Sequence, residues 1–149
     1  MKLIWLGLIA CLLPAQTIRV GTLHKASIAV AYYRSPLWAE KLKSQRVAMQ
    51  GARRANDTAK AKELEDWGGK SQELAHQQLT GEAPITNILE ALAPAFPEIA
   101  KRAQVTIVVA DLPYADASVQ TVDVTDFILD WLKADDATRK IALELRKSK

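Results

Sequence analysis

Two histidines, one cysteine and a group of aspartates are the residues with which this sequence could do chemistry. His24 and His76 lie far apart, and neither has a cysteine or carboxylate at metal-ligand spacing, so no zinc pattern forms. Glu73 and His76 stand three residues apart, which on a helix sets a carboxylate beside an imidazole. A solvated helix face explains that pair more simply. Asp111, Asp116, Asp123 and Asp126 are close in sequence and could be imagined as calcium ligands or as a general acid and base. Turn and cap roles account for them at less cost: Asp in a turn, Asp123 before a cap, Asp126 in a first helical turn. There is no Gly-x-Ser-x-Gly and no dinucleotide fingerprint. Gly68-Gly69 lacks the preceding strand and the Lys-Ser/Thr of a phosphate loop. The expectation is a non-enzyme that uses no cofactor and no metal.

The bulk numbers set the frame for that expectation. A chain of 149 residues favours one domain. With 49% hydrophobic and 25% charged residues, neither disorder nor a multi-span membrane protein is indicated. A net charge of +3 is too small and too dispersed for a dedicated nucleic-acid binder, while contact with acidic partners or a membrane surface is permitted. Residues 3–13 form an apolar run behind Met1-Lys2, followed by Pro14-Ala15-Gln16. The run falls short of the ~20 residues that span a bilayer and has the length of a signal-peptide core. Residues 1–16 are therefore read as an export signal. The alternative is a lipoprotein box, Leu8-Ile9-Ala10-Cys11, with Cys11 lipidated. As Cys11 is the only cysteine, no intramolecular disulfide can form.

The elements that would position any site follow from periodicity and punctuation. Residues 17–23 (TIRVGTL) alternate as a strand, and Ser27 is a candidate N-cap for a helix over 27–34. Ser35-Pro36 is a helix start, with Ser as N-cap and Pro in the first turn. Residues 37–66 are rich in good helix formers. Trp38, Leu42, Met49 and Ala52 fall on one heptad seam with Gln45 as its polar member, which continues weakly as Asn56, Ala59, Glu63 and Asp66. Gly68-Gly69 reads as the turn of a helical hairpin spanning about 36–103, interrupted at 80–84. Ile85, Ile88, Leu89, Leu92, Phe96, Ile99 and Ala103 make a wide apolar face, with a kink or break near Ala93 because Pro94 and Pro97 lie inside it. Residues 105–110 (VTIVVA) read as a strand buried on both faces, and 118–124 as a second strand pairing with it. Thr125 would cap a helix running to Lys133, with Phe127, Ile128, Trp131 and Leu132 as its buried face, and the segment after Asp135-Asp136 would fray.

Val20-Gly21 followed by an apolar helix and Ser35-Pro36 resembles the opening of the Skp/OmpH family of periplasmic chaperones. The ending is more specific: the strand at 105–110, Tyr114-Ala115-Asp116, and Val122-Asp123-Val124-Thr125-Asp126 resemble the family's buried strand, "YAD" turn and helix start. The match covers most of residues 17–133. It departs from the family in a shorter hairpin, broken at 80–84, and in arms that lack a strong basic bias.

The resemblance implies an α+β protein with a small antiparallel or mixed sheet of short strands and a long protruding helical hairpin, completed by oligomerisation. The domain would occupy residues 17–134, with 135–149 as a C-terminal extension. It further implies a periplasmic, ATP-independent holdase, a homotrimer whose arms surround unfolded outer-membrane protein clients. The rival is a structural assembly module of the same fold. Lys41, Lys43, Arg46, Arg53 and Arg54, with Tyr33 and Trp38, are the candidate client or partner contacts. Their alternative roles are a solvated helix face for the cations and core packing for the aromatics.

Overall fold

The structure is a computed structural model and describes residues 18–147. The chain runs β1 (Arg19–Thr22), α1 (Lys25–Tyr33), α2 (Pro36–Arg54), α3 (Thr58–Thr80), α4 (Thr86–Leu92), a 3-10 turn (Ala93–Ala95), α5 (Phe96–Ala103), β2 (Ile107–Val109), β3 (Gln120–Asp123), α6 (Thr125–Trp131) and α7 (Asp136–Lys147). It is a mixed, mostly helical protein with one small sheet. The export signal and Cys11 lie outside the described residues.

The sheet has the order β2-β1-β3, and both outer strands run parallel to β1. This corrects the expected antiparallel or mixed sheet, and β3 pairs with β1 rather than with β2. Alternation reports which residues share a face but not which way a neighbouring strand runs. In register, Gly21 stands between Val108 and Val122, while Val20 stands between Ile107 and Thr121. The Gly21 side faces the helices. A Cβ there would come within 2.9 Å of Val124 and 3.2 Å of Val105 and Val108, so the strand packs at backbone distance from the core.

Helix α1 is the core's axis. Ile28, Ala29, Ala31 and Tyr32 are buried, and α3, α6 and α7 pack around it. It starts two residues earlier than expected because His24 takes the N-cap, with its ring nitrogen accepting from the Ser27 amide. Ser27 is then free to donate its hydroxyl to the Ala142 carbonyl of α7 at 2.8 Å. Ser35 does cap α2 as the sequence indicates, accepting from the Trp38 amide at 3.3 Å.

The paired helices differ from the expected hairpin. The chain turns at Ala55, Asn56 and Asp57, with Asn56 at φ +57° and Asp57 accepting from the Lys60 amide at 2.9 Å. Asn tolerates the left-handed conformation and Asp caps the next helix, so this triplet completes the reversal without glycine. Gly68 and Gly69 lie inside α3. The seam from Trp38 to Ala52 is half-buried as read, but its continuation through Asn56, Ala59, Glu63 and Asp66 is exposed. Ala61, Leu64, Trp67, Ser71, Leu74 and Ala75 of α3 supply the other half.

The segment over 85–103 therefore belongs to the body, not to a returning arm. It breaks at Ala93 as Pro94 requires and buries Ile88, Leu92, Ile99 and Ala103. The strand expected to be buried on both faces is not: Ile107 is 52% exposed. Thr125 does not cap α6. Its amide donates to Asp123 Oδ1 at 2.8 Å, and its hydroxyl, buried, accepts from the His24 amide at 2.9 Å. The terminal segment forms α7, capped by Asp135 and held to α1 by an Arg34–Thr138 hydrogen bond of 2.8 Å.

Candidate functional surface

Three of the residues singled out by sequence meet at the root of the α2–α3 pair. Tyr33 and Trp38 stack edge to face with ring centroids 4.9 Å apart, and Lys41 Nζ lies 5.4 Å from the Trp38 ring. Trp67 of α3 completes the group, 6.0 Å from Trp38 and 6.0 Å from Lys41 Nζ. Such contacts add cation–π and quadrupole attraction to ordinary burial. Trp67 escaped the sequence reading because it adjoins Gly68-Gly69. Reading the helix through that pair places it on the stripe of Ala61, Leu64 and Ser71.

The Tyr33 hydroxyl donates to Gln78 Oε1 at 2.7 Å, and Gln78 Nε2 donates to the Pro84 carbonyl and to Asn87. Gln78 is buried with its polar atoms satisfied, so it ties the end of α3 to the start of α4. Burial raises the phenol pKa of both Tyr32 and Tyr33. The aromatic group thus packs the end of α1 against the start of α2 and the middle of α3.

The remaining cations are not gathered with it. Lys43, Arg46, Arg53 and Arg54 are exposed on α2, and none forms an ion pair among the described residues. At about 100° per residue they spread over roughly a third of the helix surface, Arg46 and Arg53 bordering the α3 seam, with Val47 among them at 62% exposure. Glu40 is the one acid on α2. This side can attract anionic surfaces or acidic segments, with a strength that salt screens.

The acidic residues take structural roles. Asp111 pairs with Lys25 at 2.6 Å, and Asp116 accepts from the Ser118 amide at 2.9 Å, a bond that holds its carboxyl below the usual range. Asp123 and Asp126 both meet Arg146, at 3.6 and 2.7 Å. Glu73 accepts from Gln77 rather than from His76, and His24 Nδ1 sits 2.8 Å from Ser27 Oγ.

The least ordinary surface is the far face of the sheet. Val20, Ile107, Val109 and Thr121 alternate away from the core side, and Ile18, 56% exposed, precedes them. Parallel sheets are almost always covered on both faces. Here Val20 of the central strand is buried and Val109 half-buried, while Ile107 is 52% exposed, and none of the three belongs to the helical core cluster. Both outer strands also present an unpaired edge among the described residues. None of the known family models, curated proteins or solved structures gives a significant match to this chain.

Proposed function

We propose that this chain is an extracytoplasmic, ATP-independent holdase-like chaperone. It assembles through its sheet as a homotrimer and holds unfolded membrane-protein segments against the α2–α3 arms. The observation that carries the reading is the small parallel sheet, with Ile107 52% exposed on its far face and both edges open among the described residues. Short strands with open edges associate edge to edge, and Ile107 beside them adds apolar area to bury. The cationic side of α2 then offers an electrostatic, shape-tolerant contact to clients, suited to broad and weak binding.

A second reading has the same fold acting only as an assembly module of the envelope. One observation favours it: Leu37, Val47 and Leu79 are the exposed large apolar residues of α2 and α3, a thin apolar surface for holding unfolded chains. The test is aggregation suppression of an unfolded outer-membrane protein alongside light scattering of the protein itself. An oligomer that suppresses aggregation at near-stoichiometric ratios supports the holdase. An oligomer without suppression leaves the assembly module, and a monomer removes both.

A further inference from the structure

Helices α6 and α7 are separated by a break that their sequence does not ask for. Residues 125–147 contain neither glycine nor proline. Ile128, Trp131, Asp135, Thr138, Ala142 and Leu145 keep the alternating three- and four-residue spacing of one helical stripe across the gap. The chain nevertheless turns at Lys133, whose φ of +56° is a left-handed conformation that a lysine side chain disfavours. The Lys133 amide donates to the Asp130 carbonyl at 3.0 Å, and the Ala134 amide to the Leu129 carbonyl at 3.0 Å. In one straight helix the two amides exchange these acceptors, so straightening loses neither bond.

What holds the turn closed is the docking of α7 on α1. Among the described residues, α1 is the one element that α7 packs against extensively. Thr138 and Ala142 are fully buried there, Ser27 donates to the Ala142 carbonyl at 2.8 Å, and Arg34 donates to the Thr138 hydroxyl at 2.8 Å. Arg146 adds ion pairs to Asp126 at 2.7 Å and Asp123 at 3.6 Å. None of these partners belongs to the turn, so the α7 of a second copy can make every one of these contacts. Only the bonds of Arg139, to the Ala134 carbonyl at 3.0 Å and to Asp130 at 2.8 Å, are local to the break.

We infer that α7 is exchanged between two copies of this chain. The turn at Lys133 opens, residues 125–147 form one helix of about 35 Å, and each α7 docks on the α1 of the other copy in a closed two-fold dimer. The exchange relieves the left-handed lysine in both copies and repeats the docking contacts. Short hinges under strain swap for this reason. The exchange goes beyond the holdase reading and does not involve the sheet.

The experiment uses the full chain carrying Ile107→Lys, so that the exposed residue of the sheet face contributes no association. It is refolded from urea at high and at low protein concentration, and its mass is read by light scattering after size exclusion. Refolding at high concentration should give a dimer that persists on dilution and reverts only after a second unfolding at low concentration. Lys133→Gly should lower the dimer yield at least about tenfold, since glycine accepts the left-handed turn and weakens the straight helix at two hinges. Lys133→Val should raise the yield, since a β-branched residue tolerates that turn worst. A dimer that dissociates at once on dilution, or whose yield ignores the residue at 133, overturns the inference. So does a chain that stays monomeric with lysine and with valine there. If Lys133→Val fails to fold, the other two proteins decide: a monomer with lysine, or equal dimer with lysine and glycine, overturns it.

Discussion

Ser27 on α1 and Ala142 on α7 are both fully buried, and the serine hydroxyl donates to the alanine carbonyl at 2.8 Å. The contact joins residues from opposite ends of the chain. It sits where His24 Nδ1 also approaches the same hydroxyl at 2.8 Å. One small polar side chain thus connects the start of α1 to the last helix. Replacing it by alanine removes the donor and leaves His24 without that neighbour. Ser27→Ala should cost about 1–2 kcal/mol, read from urea unfolding. A loss below about 0.5 kcal/mol would mean that α7 docks without this bond.

Gly68 and Gly69 distinguish a continuous α3 from a turn. A Cβ at either position meets nothing within 4 Å. Gly68→Ala and Gly69→Ala should therefore each stabilise the protein by about 0.5–1 kcal/mol, through helix propensity and the unfolded-state entropy of glycine. Destabilisation by either would put the reversal of the arm back at this pair.

Gly21 behaves oppositely. An added methyl would meet Val124 at 2.9 Å, so Gly21→Ala should cost about 1–3 kcal/mol and loosen β1 from the helices. A midpoint equal to wild type in chemical unfolding would show that the valines give way freely.

Ile107→Lys tests the exposed residue of the far sheet face. At 52% exposure in one chain, the change should alter monomer stability by no more than about 0.5 kcal/mol. In an assembly covering that face, it should lower the solution mass toward the monomer. An unchanged oligomer after this substitution would place the contact elsewhere.

Acid should weaken the fold in a defined window. The Asp130 carboxyl is held below its ordinary value by its hydrogen bond to Arg139 first, with Arg102 adding to it. The Asp135 carboxyl is held low by Thr138. A carboxyl with a depressed folded value contributes stability that is present above its unfolded value, near 3.9, and is lost as pH falls through the folded one. Wild type and Asp130→Asn should differ at neutral pH and converge as the pH falls below the depressed folded value of the Asp130 carboxyl. A difference that persists undiminished at low pH would assign the effect to packing.

Much of the fold could be read from residue order because it rests on local rules. Ser35-Pro36 starts α2, Pro94 breaks the segment at Ala93, and the interval 80–84 separates α3 from α4, each through backbone constraints carried by one or two residues. Strand direction could not be read, since Val20 alternates in the same way beside an antiparallel or a parallel partner. The turn at Ala55-Asn56-Asp57 was hidden behind the stronger glycine signal of Gly68-Gly69. The cations of α2 were visible as a run, whereas Trp67 needed the correct end of the helix before its stripe appeared.

The position of β1 carries one more consequence. It is the middle strand of the sheet, yet both its partners, at Ile107 and Thr121, come after five helices. Synthesis delivers the central strand before its neighbours, with α1 to α5 between them. Until then β1 has no partner strand, and pairing of such high sequence separation is slow to form. The helices can condense early, but the sheet cannot close before nearly the whole chain is present. The topology itself thus delays closure of the sheet and leaves its central strand dependent on the helices that condense first.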